Sequence, residues 1–284
     1  MKFRPLFLII SSILLISSLL SVTFWKFKPS IDFVGGAVWE LNLPSTPDNS
    51  KIEEIFAKNK IDNLFINKTD SNYRLEFKNI NPDQKIVLDQ EIVKIDKDYK
   101  ELKFETLGPI LGKELLQKTI TAVILSSLFL LLFIGRRFKD FSFGISAIVA
   151  MLHDAFILIG SFSILGHFFG AELDALFVTA LLTTLSASVH DTVVTFDRIR
   201  ELRRQNYTTD WVHLANQAVT ETLNRSINNS MTIVFMLLSL VLLGGSTTKW
   251  FATALLVGVV CGTYSSTGVA IPLVLLFKKF KKKK

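Results

Sequence analysis

Long apolar runs joined by short polar segments make up most of the chain. A helix of about 20 apolar residues crosses a hydrocarbon core. Six stretches reach that length, at residues 6–25, 115–134, 141–165, 173–199, 226–243 and 250–277. The first is longer than the apolar part of a secretory leader, and no A-x-A cleavage pattern follows it. It is read as an uncleaved anchor. Residues 28–114 have a different texture. Residues 37–43 alternate as a strand does. Ser50 and Glu53 have capping-box spacing ahead of Ile52, Ile55 and Phe56. Residues 63–67 and 73–77 predict two strands about a turn at 70–72. Asn81 and Pro82 open a helix with Ile86, Leu88, Ile92 and Val93 as its apolar stripe, and residues 102–107 close with a strand. The order βαββαβ predicts a ferredoxin-like domain. The domains are then a first transmembrane helix (1–27), an α+β domain (28–114), a five-helix membrane domain (115–277) and a basic tail (278–284). The fold class is an α-helical polytopic membrane protein with one extracytoplasmic α+β domain.

Composition sharpens this division. Only 20% of the 284 residues are charged, and mean hydropathy is +0.40. Sixteen of the 25 acids lie between Lys26 and Lys118. A soluble single-domain enzyme is excluded. Lys and Arg then orient the spans. Lys2 and Arg4 precede the first. Arg136, Arg137 and Lys139 join the second to the third. Arg198, Arg200, Arg203, Arg204 and Arg225 lie between the fourth and fifth, and six lysines follow the last. Residues 166–172 carry no Lys or Arg, and 244–249 carry only Lys249. Both termini are thus placed in the cytoplasm and residues 28–114 outside, since loops longer than about 60 residues cross regardless of charge. The net charge of +7 is a topology signal. It does not indicate nucleic acid, because no basic–aromatic surface accompanies it. The one cysteine, Cys261, allows no intramolecular disulfide. No catalytic cluster, metal-ligand spacing or cofactor motif appears, so no enzyme activity is expected.

Ionisable residues inside spans cost about 2.5–3.5 kcal/mol each on insertion scales and are functional candidates. Asp154 follows His153 in span three, and Asp191 follows His190 in span four. Span four also holds Thr183, Thr184, Ser186, Ser188, Thr192 and Thr195. That is the composition of an interior helix, lining a wet path or packing through small residues. Ser188 and Thr195 share the Asp191 face by spacing. Apolar surroundings favour the protonated form of a carboxylic acid, and a neighbouring arginine opposes this. Asp191 with Arg225 at the start of span five fits such a proton switch, with Asn228 and Asn229 to hold water. The alternative is that Asp154 and Asp191 are fixed interhelical anchors. Each histidine lies about 100° of helix from its aspartate, so His153 and His190 are expected to face other helices. Asp197 and Glu201, interleaved with Arg198 and Arg200, read as a solvated face. Trp211, Leu214, Ala215, Ala218, Val219 and Thr222 predict an amphipathic helix on the inner membrane surface.

Several of these strings carry a resemblance. Asp32-Phe33-Val34-Gly35-Gly36 after span one, Leu152-His153-Asp154 in span three and the run from Asp191 to Glu201, with Asp197 and Arg198, resemble motifs of the SecD/SecF protein-export family, on its SecF side. Leu223-Asn224-Arg225-Ser226 and residues 262–266 match further family segments. The resemblance implies half of an RND-type bundle, which is one of two six-helix halves and therefore calls for a partner of similar topology. It implies work in the bacterial inner membrane with SecD, with the SecYEG channel and accessory translocon subunits, and on a translocating unfolded polypeptide, driven by the proton-motive force. Asp191 is then the protonated residue and Arg225 its partner, and His190 stands where the family usually has Asn. The lysine-rich end leads to the expectation that SecD is a separate chain. Two other readings stay open: a stand-alone RND-like proton-coupled exporter, and a non-conducting structural subunit of the translocon. The Gly35–Gly36 pair is read as a tight turn or a hinge between span one and the outer domain.

Overall fold

A computed structural model of the chain describes residues 4–61, 64–138, 140–205 and 210–281. It divides into two compact units, Met1–Lys28 with Ala122–Lys284, and Pro29–Thr121.

The smaller unit is a four-stranded sheet with two helices. Strands β1 (Gly36–Asn42), β2 (Phe65–Thr69), β3 (Asn72–Phe77) and β4 (Lys100–Leu107) lie in the order β2-β3-β1-β4, every neighbouring pair antiparallel. This is the ferredoxin-like arrangement of a βαββαβ chain. Alternation along β1 and β3 turns Trp39, Leu41, Tyr73 and Leu75 to the helical side, where they are fully buried. There they meet Ile52 and Phe56 of α3 (Asn49–Lys58) and Leu88 and Ile92 of α4 (Pro82–Ile95). The capping box of α4 is complete. Asn81 Oδ1 accepts from Gln84 N at 2.8 Å, and Gln84 Oε1 accepts from Asn81 N at 3.0 Å. The box expected at Ser50 and Glu53 does not form. Helix α3 begins two residues earlier than that box requires, at Asn49, after an Asp48 N-cap without a side-chain cap bond. Ile86 and Val93 are exposed, so the buried stripe of α4 narrows to Leu88 and Ile92. Of the strand expected at 63–67, Asn63 lies outside the described residues. Asp96 is buried, and the backbone N–H of Ser45 donates to it at 2.8 Å. That bond holds its carboxyl below the usual range. Asp96 thus stays ionised and pins the connection after β1 to the end of α4.

The larger unit is the membrane bundle. Among the described residues, six helical stretches are long and apolar enough to cross a bilayer. They are α1 (Arg4–Trp25), α5 (Pro109–Arg137), α6 (Phe141–Phe169), α7 (Ala175–Gln205), α8 (Trp211–Leu243), and α9 (Ser246–Ser265) continued by α10 (Ile271–Lys281). Helices α6, α7 and α9 form the buried centre, while α5 leaves nearly all its apolar surface exposed. Small residues let the central helices approach closely. Gly160 of α6 lies against Ser18 of α1, and Ser21 Oγ donates to Gly160 O at 2.9 Å. Gly258 of α9 lies against Thr184 of α7, and Gly262 against Ser188.

The amphipathic segment at 211–222 is not a separate surface helix. It runs straight into span five as the first turns of α8, since no Gly or Pro interrupts residues 211–243. Its Leu214, Ala215 and Ala218 join the bundle core. A π turn, Ser266–Ala270, separates α9 from α10. Pro272 follows at once and has no N–H to give to an i−4 carbonyl, and a widened turn is a usual accommodation of such a break.

Candidate functional site

Helices α7, α8 and α9 enclose a cavity of about 620 Å³. Its polar wall comes from Ser186, Ser188, His190 and Asp191 of α7, Asn229 and Ser230 of α8, and Thr263 of α9. Helical period explains the set. Positions 183, 186, 187 and 190 recur every three to four residues and share one face, while Thr184, Ser188, Thr192 and Thr195 lie on the buried side. Hydroxyls tie the wall together. Ser226 Oγ of α8 donates to Asp191 Oδ2 at 2.9 Å, and Ser230 Oγ and Thr263 Oγ1 are 2.6 Å apart. A space this large, with several polar groups on its wall, can hold water.

Asp191 therefore stands on the cavity wall, with Ser226 rather than arginine as its side-chain partner. Arg225, the adjacent residue, is exposed, and no ion pair joins it to Asp191 among the described residues. His190 is exposed on the same face. Thr195 Oγ1 bonds back to the Asp191 carbonyl at 3.2 Å, which leaves the carboxylate untouched.

Asp154 has a different setting. It is 4% exposed, and Oδ2 accepts from Ser188 Oγ at 2.5 Å and from Ser265 Oγ at 2.6 Å. His153 does pair with its neighbour, contrary to the expectation from helical spacing: its Nδ1 lies 3.0 Å from Asp154 Oδ1. Side chains about 100° apart on a helix still meet when both fold into the same buried pocket. Ser188, grouped by spacing with Asp191, belongs to Asp154. Spacing identifies residues on one face of one helix, and the partner here lies on another helix. Ser226 and Ser265 sat within recognised strings, but nothing in the sequence distinguished them from other span hydroxyls.

The charges at the end of α7 are paired rather than simply solvated. Asp197 bonds Arg137 of α5 and accepts from Arg200 at 3.1 Å. Arg198 meets Glu201 at 2.6 Å and Glu221 of α8 at 2.5 Å. They clamp three helix ends below the cavity-lining part of α7.

The Asp32-to-Gly36 string is a packed turn. Ser30 caps the single turn Ile31–Val34, accepting from Asp32 N at 3.2 Å. Gly35 follows at φ 76° and Gly36 at φ 140°, both in the region that favours glycine. A Cβ on Gly35 would lie 2.7 Å from Pro109 Cα, and one on Gly36 would lie 2.9 Å from Phe77 O. Both obstacles are backbone, so the cost is strain plus displacement of the first turn of α5. We expect Gly35→Val with Gly36→Val to lower the stability of this unit by more than about 3 kcal/mol. Limited proteolysis across residues 29–121 checks it. Wild-type resistance in the double variant would show that the turn is not close-packed.

Comparison with known proteins gives one consistent relation. The family described as "Protein export membrane protein SecD/SecF, C-terminal" matches residues 87–280. A protein translocase subunit SecF of Thermobaculum terrenum is 37% identical over 282 residues, covering 93% of this chain and 89% of that one. One from Anaerolinea thermophila is 36% identical over 284 residues, covering 97% and 92%. The crystal structure of SecDF, a translocon-associated membrane protein from Thermus thermophilus, superposes with a TM-score of 0.87 at 28% identity, over 98% of this chain and 39% of that longer one.

Proposed function

Since the chain belongs to the SecD/SecF protein-export family, we propose that it is the SecF-type subunit of a Sec export machinery. In this reading it pairs with a SecD-type partner, works beside the SecYEG channel and its accessory subunits, and uses the proton-motive force to help an unfolded polypeptide across the bacterial inner membrane. The carrying observation is Asp191. It is an acid in the membrane-spanning bundle, set on the wall of a cavity partly lined by hydroxyl groups and held by one hydroxyl donor. Such a group can exchange a proton with cavity water. One charge crossing the field gains about 2.3 kcal/mol per 100 mV, and a pH unit adds about 1.4 kcal/mol. A few protons per cycle match the scale of a domain movement. Arg225, one residue from Ser226, is positioned in sequence to approach Asp191 in another state of the cycle and expel its proton. The exporter reading is less favoured, because the relatives bear the name of a translocase subunit.

The test is export into inverted membrane vesicles carrying the channel and the SecD-type partner, with and without this chain. Collapse of the proton gradient by an uncoupler is expected to remove the stimulation that the chain provides. A stimulation that survives the uncoupler would leave a structural subunit as the better reading. The same reading places both termini in the cytoplasm. A reporter fused after Lys284 should be active only inside, and one inserted at Asp70 only outside. An external C-terminus would reverse the orientation.

A further inference from the structure

We propose that His153 and Asp154 together form a second proton-holding site, loaded from the cavity through the Ser188 hydroxyl. It is reached only if the cavity carries protons, so it rests on the function proposed above.

Both side chains are buried, at 5% and 4% exposure, and no lysine or arginine pairs with Asp154 among the described residues. An ionised carboxylate there has three donors and no counter-cation, a costly state in a low-dielectric interior. The donors also fix the histidine. An ionised Asp154 only accepts, so His153 Nδ1 carries hydrogen and Nε2 carries the lone pair. That Nε2 is buried without a hydrogen-bond partner among the described residues. An unneutralised carboxylate bonded to a neutral imidazole is a place for one proton. Ser188 supplies the route, because it both lines the cavity and donates to Asp154 Oδ2. Cavity water gives a proton to Ser188 Oγ as that hydroxyl passes its own to Oδ2. The pair goes from net −1 to neutral: the proton rests on Asp154 Oδ2, while His153 goes on donating through Nδ1 and keeps its Nε2 lone pair.

Loading also reaches the π turn. Ser265, the residue just before Ser266–Ala270, donates to the same Oδ2. A charge-assisted bond is about twice as strong as a neutral one, so neutralising the pair loosens this anchor. Outside the charges from Asp197 onward in α7, the titratable groups on the elements packed against α6 include Asp191 and His190 of α7, Lys249, Cys261 and Tyr264 of α9, and Lys278 and Lys279 of α10, of which Lys278 bonds Asp140. Helix α1 and the π turn add no ionisable acid or histidine.

The full chain in lipid vesicles, followed by infrared spectroscopy of the protonated-carboxyl stretch during a pH titration, tests the site. Asp191→Asn is expected to remove one titrating band and leave a second. Adding Asp154→Asn should remove the second, and His153→Gln should shift its midpoint. Ser188→Ala keeps the acid, so the band should remain while its deuterium exchange slows about tenfold or more. If no band titrates once Asp191 is replaced, the second site does not exist. If the remaining band exchanges at the wild-type rate in Ser188→Ala, the route is wrong. A chain whose Asp191 band never titrates, with the second band present, would instead overturn the function proposed for Asp191.

Discussion

Replacing Asp191 with asparagine is expected to abolish the part of export that depends on the proton gradient, while the chain still folds and still binds its SecD-type partner. Asparagine has the same size, and its amide oxygen can accept the Ser226 hydroxyl that now meets Asp191 Oδ2 at 2.9 Å. Packing around the cavity is therefore unchanged. What asparagine lacks is the charge cycle. An anchor and a proton carrier make opposite predictions here. For an anchor, the substitution keeps the bond, and export continues at nearly the wild-type rate. For a carrier, stimulation falls to the uncoupled level whatever the gradient. Two companions separate the neighbours. Arg225→Ala should impair the same step without unfolding the bundle, because its side chain is exposed and enters no ion pair with Asp191. His190→Asn should be tolerated, since His190 is exposed on the cavity face and α7 packs through its other side. Normal gradient-dependent export by the Asp191→Asn protein would assign Asp191 a purely structural role.

The features legible in the sequence are those set by local chemistry. Six apolar runs of membrane length became six long helices among the described residues, because a helix satisfies its backbone groups within one segment. The Asn81-Pro82 start of α4 was readable because a cap is made by residues three apart, and Gln84 completed it. The Ser50 box failed on the same logic, for Asp48 lies earlier in the chain and ends the extended segment first. Asp191 was marked by its cost in a membrane, and it does line the cavity. What was hidden depends on contacts between helices. Residues 219–229 are polar enough to suggest a break between a surface helix and span five, yet that polarity includes the α8 side of the cavity wall. The pairing of Ser188 and Ser265 with Asp154 spans 34 and 111 residues, beyond any spacing rule.

The contact between α7 and α9 gives a large expected loss of stability from a single added methyl group. Gly258→Ala adds one methyl group, and its Cβ would stand 2.3 Å from Thr184 Cγ2 and 2.5 Å from Thr184 Cβ. Both distances are far inside contact, and the two helices are central, so neither can tilt away without opening the core that holds Ala180, Leu181 and Ala254. Overpacking of this kind costs about 1–3 kcal/mol or more. Thermal unfolding of the full chain in lipid should drop by several degrees or fail to show a folded state. The geometry also predicts which second change helps. Thr184→Ala removes Cγ2 and leaves the Cβ at 2.5 Å, so it should rescue little. Thr184→Gly removes both atoms and should recover most of the loss, less about 1 kcal/mol for a helical glycine. Gly262→Ala is the control, because its Cβ would meet Ser188 Cβ at a milder 3.1 Å. If Gly258→Ala is no more harmful than Gly262→Ala, or if Thr184→Ala rescues it fully, the close approach of α7 and α9 is not what holds this wall of the cavity.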